Sequence, residues 1–205
     1  MATIVLPSIS REQYLQQERR AATRSEYHKG RVIAMTGASR THNRIVTNLT
    51  SSLDHQLKSR PCNNYSNDMR VAVQGGERYL YPDVVVTCGR ELFEDAENDI
   101  LLNPLVIIEV LSPSTEVYDR GEKFLAYQAI PSLREYALVS QSPRRMEIYR
   151  RQPDDTWVYQ TIPPSPPPLI LQSIDCTLTL DDVYSKVEEE SSREPPLSGA
   201  GNAQT

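Results

Sequence analysis

Between Arg40 and Lys58 the apolar side chains fall at Ile45, Val46, Leu49, Leu53 and Leu57, spacings of three and four that lay one stripe along an α-helix. Beyond it the pattern shortens. Met69 to Val73, Asp83 to Cys88 and Leu105 to Leu111 read as strands, the last two nearly continuous in Val, Ile and Leu, as strands covered on both faces require. Helical spacing returns from Glu116 to Ile130 through Phe124, Tyr127 and Gln128, and Pro131 stops it. Strand patterns resume at Glu135 to Val139, Arg145 to Tyr149 and Thr156 to Gln160, the last two joined by a polar turn at Gln152 to Asp155.

The N-terminal part is more polar. Ser10 caps a helix over REQYLQQERR, expected at the surface, and Glu26 to Met35 forms a β-hairpin turning at Lys29-Gly30. At the other end, Pro163-Pro164-Ser165-Pro166-Pro167-Pro168 predicts an extended connector to Leu169-Ile170-Leu171, and a short helix follows near Asp181 to Val187. The order helix, strands, helix, strands predicts an α/β protein (α+β mixed sheet), with a parallel crossover through the Glu116 helix. Residues 1–187 form the expected single domain, and residues 188–205, poor in apolar side chains, the expected disordered tail.

Composition refines this picture. A hydrophobic share of 39% and a charged share of 24% suit one ordinary globular core. The net charge of -5 removes any global positive field and argues against a protein that simply coats DNA. A local basic cleft is still compatible with it, the candidates for phosphate contact being Arg24, Lys29, Arg31, Arg40 and Arg44. Cys62, Cys88 and Cys176 are odd in number and lack C-x-x-C spacing, so neither a disulfide framework nor a cysteine zinc site is expected. No apolar run reaches the roughly 18 residues of a membrane span. A soluble, cytoplasmic protein without membrane contact is expected.

Two residues then stand out for their setting. Asp83 follows Pro82 at the head of one apolar strand, and Glu109 lies inside VIIEVL in another. A buried carboxylate is costly unless paired or metal-bound, and adjacent strands bring both within reach of one cation. Oxygen donors suit magnesium or manganese. Lys123 lies on the following helix, with Asp119 four residues before it and Tyr127 four after on the same face. A surface ion pair with Asp119 is the plainer account of that lysine. A serine–lysine hydrolase through Ser112 or Ser114 lacks an accompanying oxyanion motif.

The segments YPDVVV, PLVIIEVLSPST and YDRGEKFLAYQAIPSLREYALV resemble the Uma-type restriction endonucleases of the PD-(D/E)xK superfamily, over residues 23 to 184. Glu26 and Gly30 in SEYHKGRVIAMTGAS, and His42 at the start of the long helix, fit the same resemblance. It implies a restriction-endonuclease-like core, DNA as substrate, and a homodimer. It also implies Asp83 and Glu109 as ligands of Mg2+ or Mn2+, with the backbone carbonyl of Val110 as a further ligand. The superfamily pattern puts its lysine where this chain has Leu111, and the resemblance moves that role to Lys123. Glu26, His42 and Asp119 are expected as accessory residues, while His28 and His55 receive no role. The rival expectation is a nucleic-acid-binding or regulatory protein that keeps the fold without cleavage.

Overall fold

In a computed structural model, residues 8–35, 37–163 and 168–188 are described. The two most apolar segments, β6 (Val84–Cys88) and β8 (Val106–Leu111), pair antiparallel with Val84 opposite Ile108 and Val85 opposite Ile107. Their side chains alternate between two covered faces. Val84, Val86, Val106, Ile108 and Val110 enter one core cluster, and Val85, Ile107 and Leu111 another. Continuous apolarity in these strands is thus the signature of burial on both sides.

The first face is closed by α2 (Arg40–Leu57), whose stripe is as spaced in the sequence: Ile45, Leu49 and Leu53 are fully buried. Its first turn is capped by Ser39, whose hydroxyl accepts from the His42 N–H. The second face lies beneath a helical segment running through α3 (Glu116–Tyr118), one π-helical turn (Asp119–Lys123) and α4 (Phe124–Tyr127). That segment crosses from β8 to β9 (Glu135–Ser140), which pairs parallel to β8. The expected crossover is therefore present, although its last turn ends at Tyr127, short of Pro131.

β3 (Cys62–Ser66), β10 (Arg145–Arg151) and β11 (Trp157–Ile162) complete a six-stranded sheet in the order β11-β10-β9-β8-β6-β3. A second sheet packs beside it. It is built from β1 (Ser25–His28), β2 (Arg31–Ala34), β4 (Arg70–Val73), β5 (Arg78–Leu80) and β7 (Ile100–Leu101) in the order β2-β1-β5-β4-β7. β12 (Leu169–Leu171) and β13 (Cys176–Leu178) form a small ribbon, and α5 (Leu180–Val183) follows.

Two expectations need correction. The helix capped by Ser10, α1 (Arg11–Glu18), is less superficial than its polarity suggests, because Tyr14, Leu15 and Glu18 are buried, with Tyr14 stacked on Tyr27 and Tyr79. The cysteines also do not all stay free: Cys62 and Cys88 form a disulfide between β3 and β6. They are separated by 26 residues in the chain, and it is the antiparallel register that makes them partners. The Pro164–Pro167 part of the connector and the tail from Glu189 onward lie outside the described residues.

Candidate metal centre

The centre forms where the chain passes from one sheet to the other. Tyr81-Pro82-Asp83 links β5 to β6, and the helical segment from Glu116 to Tyr127 lies over it. Extending the β6–β8 register by one residue sets Asp83 beside Glu109, on the alternation face of Val85 and Ile107. The Asp83 N–H donates to Glu109 Oε2 at 3.3 Å, and the Val110 N–H donates to Asp83 Oδ2 at 2.7 Å. The acids therefore face a common space, as a shared cation requires.

Lys123 comes to the same point from the helix. Its Nζ is 2.9 Å from Glu109 Oε1, 3.5 Å from Glu26 Oε1 and 3.7 Å from Asp119 Oδ1, and it donates to the Tyr81 carbonyl at 3.1 Å. It is 5% exposed, which rules out the reading of a surface pair with Asp119. Serine–lysine chemistry finds no support either, since Ser112 Oγ is bonded to the hydroxyls of Ser114 and Thr115. Leu111, at the usual lysine position, is packed in the apolar cluster with Phe124 and Tyr127.

The electrostatics follow from arithmetic on charges. Glu26, Asp83, Glu109 and Asp119 surround one lysine, and the first, third and fourth are nearly inaccessible to water. Burial pushes the Glu109 carboxyl well above its ordinary value; Asp83 and Asp119 push the same way and Lys123 only partly opposes them. Burial raises Asp119 likewise, against the pull of Lys123 and a hydrogen bond from Thr115. For Lys123 burial favours the neutral amine, yet Glu109, Glu26, Asp119 and Asp83 outweigh it and hold the ammonium form. The cluster thus sets four carboxyl groups against one lysine, a surplus of acids over their cationic partner.

That surplus is what a divalent cation would neutralise, and the donors present suit one. Magnesium is commonly held by one or two carboxylates with its remaining positions filled by water, so Asp83 and Glu109 would be the side chains to hold such an ion here. Among the described residues no group of three or more His, Cys, Asp or Glu side chains is arranged to hold a metal ion, so such an ion would rest on this pair of acids with water.

The remaining candidates are brought in to different degrees. His42 lies against the centre, its Nε2 3.1 Å from Asp83 Oδ2. Glu26 reaches it from β1, accepting from the Tyr81 N–H at 3.2 Å and the Tyr118 hydroxyl at 2.8 Å. The proposed phosphate contacts are less available than expected: Arg24 pairs with Asp68, Lys29 with Glu77 and Arg40 with Glu188. Arg31 and Arg44 are exposed. Sequence reasoning missed Tyr118, Tyr81 and His28, whose Nε2 lies 2.8 Å from the Tyr118 hydroxyl. One signal was available for His28, because it lies two residues from Glu26 on a predicted strand and so shares its face.

The mixed sheet, with a helical segment crossing from β8 to the parallel β9, is of the restriction-endonuclease-like class of fold. The chain belongs to the Uma2 family, described as "Putative restriction endonuclease", whose profile matches residues 11–181. It is 34% identical over 178 residues to uncharacterized protein slr1290 of Synechocystis, covering 87% of this chain and 92% of that protein. Uncharacterized protein sll1609 of the same organism is 38% identical over 146 residues, 71% of this chain and 82% of its own. In fold, the chain matches the crystal structure of a putative nuclease belonging to DUF820 from Anabaena variabilis with a TM-score of 0.70 at 19% identity. That match covers 86% of this chain and 98% of the other. Among the described residues no helix is long and apolar enough to cross a membrane.

Proposed function

We propose that the protein is a divalent-metal-dependent endonuclease that hydrolyses DNA phosphodiester bonds. The observation that carries this reading is the surplus of carboxylates around Lys123, joined to membership of the Uma2 family. Asp83 and Glu109 would hold Mg2+ or Mn2+, with the Val110 carbonyl as a further ligand. When bound, such an ion supplies an activated water and neutralises charge on the phosphoryl oxygens. Lys123 directs its ammonium group to the oxygens that gain charge in the transition state, in a site sheltered from water. His42 holds Asp83 from the side of α2, and Asp119 and Glu26 keep Lys123 charged and oriented.

The test is cleavage of supercoiled and linear DNA with Mg2+ or Mn2+, with chelator as control, by the wild type, Asp83→Ala, Glu109→Gln and Lys123→Ala. Metal-dependent cutting is expected, with each substitution lowering the rate about a hundred-fold or more, the scale of losing one electrostatic stabiliser. Cleavage that survives Asp83→Ala would sink the assignment. Binding of DNA with no cutting under any metal would favour the rival reading, a nucleic-acid-binding protein that keeps the fold.

A further inference from the structure

Glu109 has two claims on it. It is the nearest acid to Lys123, at 2.9 Å, and it is also a proposed cation ligand. A carboxylate that turns toward a cation loses much of its hold on a neighbouring ammonium group, which then needs another acid that stays in place. Glu26, 3.5 Å from the same Nζ, is so placed, and both its oxygens are tied down. Oε1 accepts from the Tyr81 N–H and Oε2 from the Tyr118 hydroxyl.

Behind Tyr118 stands His28, 8% exposed, with its Nε2 2.8 Å from the phenol oxygen. A phenol has one proton to give. If His28 Nε2 carries hydrogen and donates to the phenol oxygen, the Tyr118 proton is committed to Glu26. If Nε2 is bare, it takes that proton itself and Glu26 Oε2 loses its donor. The proton on His28 therefore decides how firmly Glu26 is held. The charged groups that act on the ring are Glu26 and Arg31 on the hairpin, Arg78 on β5, and Glu122, whose Oε1 lies 3.6 Å from Nδ1.

We propose that His28 and Tyr118 are positioning residues that hold Glu26, and through it Lys123, at the candidate centre. The inference rests on the role assigned to Lys123 in the proposed nuclease, and none of its hydrogen bonds involves Asp83 or Glu109. The N-terminal hairpin thereby gains a part in the site, since β1 supplies both Glu26 and His28, two residues apart, on the side facing the helical segment.

The test compares Tyr118→Phe, His28→Gln and His28→Leu. Two readouts are needed: the ammonium nitrogen signal of Lys123 by NMR in metal-free protein, and single-turnover cleavage with DNA affinity measured separately. Tyr118→Phe and His28→Leu are expected to shift or broaden the Lys123 signal. Both should slow cleavage about ten-fold, the scale of one displaced hydrogen bond, with DNA affinity unchanged. His28→Gln, whose amide N–H reaches the phenol oxygen, should retain the wild-type signal and rate. A Lys123 signal unmoved by Tyr118→Phe, or His28→Gln as damaging as His28→Leu, would overturn the inference. If Tyr118→Phe does not fold, the two His28 variants make the same comparison. If the wild type cuts no DNA, the nuclease reading fails, and the Lys123 signal still decides whether the positioning chain exists.

Discussion

Glu135 and Glu109 are buried acids on the paired strands β9 and β8, three register positions apart, and their surroundings differ in kind. Glu135 accepts from Arg150 Nε at 3.1 Å, from the Gln172 and Ser173 N–H groups at 3.0 and 2.9 Å, and from the Ser173 hydroxyl. Its single charge is matched by one guanidinium and by neutral donors. Glu109 shares one ammonium group with three other carboxylates. The first acid sits in an electrostatically closed setting, and the second is left short of positive partners. A buried acid alone does not mark a site; a local excess of acids over their partners does.

The largest test of this contrast is removal of the cation beside each acid. Lys123→Met should lower the stability of the metal-free protein by about 3–5 kcal/mol in urea unfolding at pH 8, the cost of stranding buried charge. Arg150→Met should cost less, because the Gln172 and Ser173 donors remain on Glu135. Equal losses would erase the distinction. Next in size is the response to added ion: Mg2+ or Mn2+ at a hundred times its Kd should stabilise the wild type by about 2.7 kcal/mol. Asp83→Asn should abolish that gain, and Glu135→Gln should leave it intact.

Removal of the acids themselves should have effects of opposite sign. Glu135→Gln leaves Arg150 without its acid partner and should cost about 1–3 kcal/mol. Glu109→Gln relieves a crowded cluster and should leave the metal-free protein as stable or more so. A loss at Glu109 as large as that at Glu135 would show that the cluster is balanced as it stands.

The smallest effect is a slope with pH. Glu109 and Asp119 titrate above their ordinary values of 4.5 and 3.8, so the folded state holds protons that the unfolded chain releases. Their contribution is complete below those ordinary values and is lost as pH rises through the higher folded ones. Unfolding followed from pH 4 upward, without metal, should therefore show the wild type losing ground relative to Glu109→Gln. Saturating divalent cation should cancel the difference, and a wild type that gains ground as pH rises would contradict the raised carboxyls.

Much of the six-stranded sheet could be read in the sequence, because β6, β8 and α2 carry long, unambiguous apolar patterns. Of the second sheet, the hairpin strands β1 and β2 and the strand β4 could be read as well. What stayed hidden were the shortest and most polar strands: β7 is two residues long, β5 three, and β3 of the six-stranded sheet reads CNNYS, too short or too polar for alternation to register. Asp83 and Glu109 could be found because charge interrupts apolar strands there. Lys123 depended on family resemblance, since helical spacing equally allows a surface pair with Asp119. Tyr118 and Tyr81 could not be read at all, because their parts are played across elements distant in the chain.

The π-helical turn at Asp119–Lys123 works as a phase joint. In a regular helix each residue advances about 100°, so a wider turn inserts a rotation between the rows before and after it. Upstream, Tyr118 and Asp119 are phased to meet the hairpin and the lysine; downstream, Phe124 and Tyr127 are phased to the apolar face of the sheet. One short helical segment is thereby fitted both to the polar centre and to the apolar face of the sheet. Its register can be edited: shortening the turn by Gly121 would swing Tyr118 and Asp119 away while Tyr127 stayed in the core, splitting the polar half of the segment from the apolar half that anchors it.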